Sequence, residues 1–440
     1  MSTSQGNKTV ETTSFSPLQL VNGKIRNYAK DYYHHISLFS RNVRLYLAGS
    51  FLLGLTAAAA QLLFNLYLKE RGADESFIGT FLSAGAFGTA IIALPAAFLL
   101  RRIKLKMVLL CSTIFYVCSV VLIAYLQVSH VLIVISFIIG MAMTFNRIAA
   151  APFFMRNSTL KERTYIFSFN FGVLLLAGMI GSLYSGWLVS ILTKLTSGAI
   201  SAYQWTFMVS GILGLMAIIP YSMIKTQEPG REEREADFSL SLFKKQYKLY
   251  LKLILPQFAV GIGAGLIIPF LNLYFRDRFG QPPDKIGVFF FAVNTTMLLG
   301  ILFGPIMARK FGMVKTIVST ELLSIPFMII LAFTYSLPVA LAAFLFRGAL
   351  MNMAQPIGTN FGMEMVGKSE HALVNALLTL AWTGSWMIST AVGGEIIEKH
   401  GYTLPLLLAV GLYIVSAVLY YSFFRKSDRK AGGEFIAEIN

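Results

Sequence analysis

Three ionisable side chains, Arg147, Arg347 and Glu321, stand inside long runs of apolar residues. A charge buried among apolar groups is costly, so each such position is a candidate for function. A guanidinium stays charged and grips a carboxylate or phosphate with a planar fork of donors. Arg147 and Arg347 therefore suit an anionic ligand. Glu321 stands at nearly the depth of Arg347 in the neighbouring run. It either neutralises that arginine as an ion pair or serves as a coupling group. Uncharged groups add to the set. Gln61 and Asn65 share one helix face at i,i+4 spacing, and Asn272 lies in a later run. Asn375, Thr379, Trp382 and Trp386 follow one another at i, i+4, i+7 and i+11 as a polar-aromatic stripe. The two tryptophans fall in mid-run, where interfacial anchoring does not apply. Arginine combined with indole would hold an organic anion with an apolar body. Asn65 and Asn272 lie near the ends of their runs, where bonding between helices competes with contact to a ligand.

Other patterns carry no chemistry. Gly261, Gly263 and Gly265 resemble a dinucleotide loop but lie inside an apolar run with no strand before them, which reads as close helix packing. His34, His35, His130, His371 and His400 have no ligand spacing with a Cys or acid, so no metal is expected. No cofactor is expected and no enzymatic constellation is present. Cys111 and Cys118, seven apart, read as buried small apolar residues rather than as a disulfide.

The elements that position these residues follow from composition. Apolar types make up 56% of the 440 residues and charged types 13%, against about 25% charged in soluble domains. Runs of about twenty apolar residues cross a bilayer as helices. Twelve are found, near 43–67, 77–100, 107–127, 131–155, 166–192 and 203–223, then 249–275, 286–308, 313–335, 337–358, 373–397 and 403–424. The fold class is an all-α membrane protein.

The runs are duplicated. Asn65, Tyr67, Arg71 and Gly79 return as Asn272, Tyr274, Arg278 and Gly287, with one residue inserted in the second copy. Farther on, Arg101-Arg102 meets Arg309-Lys310, and Gly186 meets Gly394. A period this long means two related domains rather than a solenoid. The expected organisation is a polar N-terminal segment (1–42), a six-helix bundle (43–223), a charged linker (224–248), a second six-helix bundle (249–424) and a tail (425–440).

The net charge of +16 would suggest nucleic acid in a soluble protein. Here most of the Lys and Arg fall in the loops on the side of the termini, the bias that orients membrane proteins. We expect both termini in the cytoplasm, a plasma or inner membrane location, contact with anionic lipid headgroups, no nucleic-acid partner and a monomer.

Two six-helix repeats, the charged central loop and basic loops after the second and eighth runs resemble the major facilitator superfamily of secondary transporters. The motifs are altered. The run Ala97 to Lys106 matches the superfamily's loop pattern with Arg101 in place of its Asp, and Arg309-Lys310 with Gly312 is the second copy. Arg347 and Pro356 in RGALMNMAQP match its fourth-helix pattern better than Met143 and Pro152 do. The resemblance implies two bundles rocking around a central cavity, lined by helices 1, 4, 7 and 10 with 2, 5, 8 and 11 beside them. It also implies alternating access and a cytoplasmic gate at Arg101, Arg102, Arg309 and Lys310. On this reading Arg147, Arg347, Gln61, Asn65, Asn272, Asn375, Trp382 and Trp386 face a small-molecule substrate, an organic anion or amphipathic carboxylate or phosphate. The rivals are an exporter of hydrophobic drugs or lipids, and a non-transporting receptor or scaffold. With no Asp or Glu in the cores of helices 1, 4, 7 and 10, facilitated transport or anion exchange is expected rather than proton coupling.

Overall fold

The computed structural model describes residues 39–100, 103–225, 241–367 and 370–437, and among them there is no β-strand. Twelve long helices follow in order. In the first half they are α1 (Arg41–Glu70), α2 (Glu75–Leu99), α3 (Leu105–Tyr125), α4 (Ser129–Asn157), α5 (Leu160–Leu195) and α6 (Ala199–Leu215), the last continued by a short turn Ile218–Ser222. In the second they are α7 (Ser241–Ile267), α8 (Pro283–Phe311), α9 (Met313–Phe333), α10 (Leu337–Glu364), α11 (His371–His400) and α12 (Thr403–Ala437). Two boundaries differ from expectation: the first turn of α7, set off by a kink at the non-helical Gln246, lies inside the expected linker, and α12 runs on through most of the expected tail.

A 3-10 turn, Ile268–Phe270, interrupts the seventh span before it resumes as Leu271–Phe279. Pro269 accounts for the break, since it lacks an N–H and its ring clashes with the carbonyl one turn back. Among the described residues eleven helices are long and apolar enough to cross a membrane. Helix α11, with 30 residues, is of spanning length as well.

The helices pack twice in one pattern. In the first half α1 lies on α5 and α6, α4 on α2 and α3, and α3 on α6. In the second α7 lies on α11 and α12, α10 on α8 and α9, and α9 on α12. The halves meet through α2 on α11 and α5 on α8. Lipid tails are as apolar as leucine, so helices in a bilayer associate through close backbone approach and hydrogen bonds. Both devices appear at one end of the molecule. Gly79 of α2 rests on Gly394 of α11, where a Cβ on Gly394 would stand 2.2 Å from Glu75 O. Gly186 of α5 rests on Gly287 of α8, where a Cβ on Gly186 would stand 2.3 Å from Pro283 O. These contacts join repeat partners crosswise.

The repeated Tyr and Arg have a common task. Tyr67 donates to Ala124 O (2.5 Å) and Arg71 to Leu126 O, so the pair receives the carbonyls at the end of α3. Tyr274 donates to Leu331 O (2.8 Å) and Arg278 to Ala332 O (3.0 Å), doing the same for α9. Carbonyls at a helix end lack intrahelical donors, and cations are favoured there.

Cys111 and Cys118 are both exposed on α3, not buried. In a bilayer the outer surface of a bundle is itself apolar surroundings, so a small apolar residue gains nothing by facing inward.

Candidate functional site

The end at which the glycines meet is closed by polar bonds between the halves. Asn65 Nδ2 donates to Pro269 O (2.6 Å) and to Asn272 Oδ1 (3.2 Å), and Asn272 Nδ2 donates to Leu62 O (2.7 Å). Ser83 Oγ donates to Met387 O, Ser190 Oγ to Asp284 Oδ1 (2.9 Å), and Arg276 pairs with Glu70 (3.0 Å). Nearby, Tyr402 donates to Asp277 (2.5 Å), and burial with that neighbouring carboxylate pushes its phenol pKa up. Asn65 and Asn272 are 2% and 1% exposed. Their amides bond helix to helix and are not open to a ligand in this conformation. At the opposite end the stretches of α10 and α11 bearing Thr359, Asn360, Asn375 and Thr379 are exposed.

Between these ends lies a recess of about 170 Å³, bounded by α1, α5 and α8. Gln61 reaches it as an exposed residue on a helix whose next seven positions are buried. Asn294 of α8 and Ser182 of α5 add polar groups, and Leu174, Leu175 and Phe290 supply apolar wall. Gly178 opens the space: only Asn294 Nδ2 would come within 4 Å of a Cβ there, at 3.8 Å. Gln61 and Asn294 make no side-chain hydrogen bond among the described residues.

The related position in the second half is built differently. Shifted by the 208 positions that separate Gly186 from Gly394, Leu174 and Gly178 correspond to Trp382 and Trp386. The two indoles lie 5.7 Å apart against α7. Gly261 accommodates Ser385 and Trp382, Gly263 accommodates Tyr413, and Gly265 accommodates Ser389 and Trp386. The glycine series is thus a packing surface on both sides of α7, as expected from its run. Trp386 Nε1 is buried without an acceptor. Along the same helix Thr379 donates to Asn375 O (2.8 Å) and Thr383 to Thr379 O, so the stripe's hydroxyls bond their own backbone.

The two arginines part company. Arg147 is an exposed residue eighteen positions into α4, about 27 Å along it at 1.5 Å per residue. It makes no hydrogen bond or ion pair among the described residues. Arg347 is only 6% exposed, inside the second bundle. Its Nη2 donates to Tyr413 OH of α12 (2.5 Å) and its guanidinium lies 5.8 Å from that ring, while Nε has no partner. Glu321 of α9 does not pair with Arg347. Its Oε1 accepts from Ser416 Oγ of α12 (3.3 Å), and Oε2 is buried without a donor. Arginine and glutamate thus meet the same face of α12 three residues apart. Helix α9 thus turns Glu321 inward, toward α12.

Arg309 and Lys310 are exposed at the end of α8, with Arg309 Nε donating to Pro305 O (3.4 Å) and Lys310 lying near the Phe311 ring. Arg101 and Arg102 lie outside the described residues. Sequence reasoning missed Asn294, Gly178 and Tyr413. An amide and a phenol inside apolar runs were signals equal to Gln61; the glycine gave none until its partner tryptophan was known.

Two pseudo-symmetric six-helix bundles, closed on each other at one end around a polar mid-depth recess, define a secondary-transporter fold. The chain belongs to the major facilitator superfamily: the model of that family, described as Major Facilitator Superfamily, matches residues 46–256 and 253–437. The solved nucleoside transporter NupG is 13% identical and superposes with a TM-score of 0.73 over 88% of this chain and 99% of that one. A bacterial homologue of the human lysosomal transporter Spinster, inward-facing and occupied, gives 14%, 0.70, 90% and 97%. A D-xylose-proton symporter gives 14%, 0.69, 89% and 98%. At such identities these likenesses concern the fold alone. No curated protein matches the sequence. The chain is an integral membrane protein of a transporter family, not an enzyme.

Proposed function

We propose that this transporter carries a small organic anion, a carboxylate or phosphate with an apolar body, by alternating access. The observation that carries the reading is Arg147: a cation deep along a membrane helix, exposed, and without a hydrogen-bond or ion-pair partner among the described residues. An unpaired charge at such depth is costly unless water or a ligand meets it. Gln61 with Asn294 offers amides for the remainder of the substrate. Arg347, by contrast, serves the second bundle by anchoring α10 to α12. The charge bias of the loops supports cytoplasmic termini in a plasma or inner membrane. The closed end then faces outward and this conformation faces inward. The protein acts as a monomer, since one chain supplies both bundles.

Proteoliposome uptake tests the reading. A panel of carboxylates and phosphate esters against size-matched neutral analogues should give saturable flux for anions. Arg147→Ala should lower kcat/KM by roughly ten- to a hundredfold, the worth of a charged hydrogen bond of about 1.5–3 kcal/mol. Equal handling of neutral solutes by both proteins would favour export of hydrophobic compounds. Absence of flux for every class would favour a receptor or scaffold.

A further inference from the structure

At the exposed end of the first bundle four helix ends surround a cavity of about 530 Å³: the starts of α1 and α5, the end of α4 and the chain just after α6. Asn42 of α1 ties the end of α4 and the chain after α6 to its own helix. Its Nδ2 donates to Asn157 Oδ1 (2.7 Å) and Lys225 O (2.8 Å), and its Oδ1 accepts from Lys225 N (3.1 Å). Three cations line the space, Arg41, Arg156 and Lys225, against one acid, Glu162. That acid is already engaged, since Glu162 Oε1 accepts from Thr159 N (2.9 Å) in the cap of α5. The side chains of Arg41 and Lys225 are exposed and make no hydrogen bond or ion pair among the described residues. Two long helices also begin here, and a helix start favours negative charge. The cavity is preorganised, cationic, and placed where membrane-crossing helices end, at headgroup level.

We propose that this cavity binds a phosphate group, supplied by an anionic phospholipid of the adjoining leaflet. A lipid would then bridge α1, α4, α5 and the segment after α6, the ends that move together if the first bundle rocks. The inference is independent of which substrate is carried.

Native mass spectrometry of the full chain in detergent, with dioleoyl phosphatidylglycerol against dioleoyl phosphatidylcholine, tests it. The wild type should prefer the anionic lipid. Arg41→Gln/Lys225→Gln should lose about thirtyfold of that preference and Lys225→Gln alone about fivefold, as expected for roughly 1 kcal/mol per cation at a membrane surface. A control of equal charge loss at the same end, Lys248→Gln/Lys252→Gln, should keep it. Both pairs are exposed, so melting temperatures should match the wild type. Displacement of the lipid by inorganic phosphate would identify the bare oxyanion as sufficient and admit a soluble phosphate ester. Retention would assign the site to the lipid. No preference in the wild type, or equal loss in the control, overturns the proposal.

Discussion

Asn65 and Asn272, 207 positions apart, perform one operation on each other's helix. Each amide donates to a backbone carbonyl three residues before its counterpart, Asn65 to Pro269 and Asn272 to Leu62. The closed end is thus held by a reciprocal bond across the pseudo-twofold axis. Replacing either asparagine by alanine should weaken closure by about 0.6–1.7 kcal/mol, the range for hydrogen bonds between membrane helices. The double substitution should cost more than either alone but less than their sum, since each bond to a backbone carbonyl is lost separately and only the Asn65–Asn272 bond is shared. Spin-label distances across that end, measured for the full cycle, check this; additive single effects would contradict it.

The crosswise glycine contacts give a second prediction. Gly79→Val and Gly186→Val should both hold the closed end apart, because a Cβ at either site meets a backbone carbonyl at 2.5 and 2.3 Å. Both variants should slow transport, with cysteine accessibility rising at that end. An effect confined to one variant would show that only one contact closes.

The arginines should separate stability from transport. Tyr413→Phe and Arg347→Met should lower the melting temperature, each leaving a buried partner unsatisfied at about 1–3 kcal/mol. Arg147→Met should leave it nearly unchanged, since it breaks no hydrogen bond or ion pair among the described residues, while flux falls. A destabilised Arg147→Met would assign that residue to the scaffold.

Gly178→Trp copies the second half's own residue, Trp386, into the first. The indole should enter the recess beside Gln61 and Asn294 and stop substrate binding without unfolding the protein. Binding affinity and melting temperature together decide it, and undiminished affinity would place the substrate elsewhere.

Much of this was legible in the sequence because each repeated landmark has a structural task. The asparagines bond across the axis, Tyr67-Arg71 and Tyr274-Arg278 receive the ends of α3 and α9, and the glycines mark the crossings. Depth along a helix was also readable. The direction of a side chain around it was not, because a helix in lipid is apolar on all sides and its pattern names no inner face. Arg347 and Glu321 were therefore given their depth but not their turn toward α12. Cys111 and Cys118 were placed inside by a rule that holds in water. The tryptophan stripe of α11 is visible in the sequence, whereas the space at Gly178 depends on how α5 packs against α1 and α8.

The pairing of α2 with α11 and α5 with α8 has one more consequence. Each half offers its second helix and receives on its fifth, so the surfaces are those of a self-complementary pair of identical subunits. This chain is in effect a fused homodimer. Once both subunits lay on one polypeptide, Trp386 and Gly178 were free to diverge, and only an asymmetric pair can grip an asymmetric cargo.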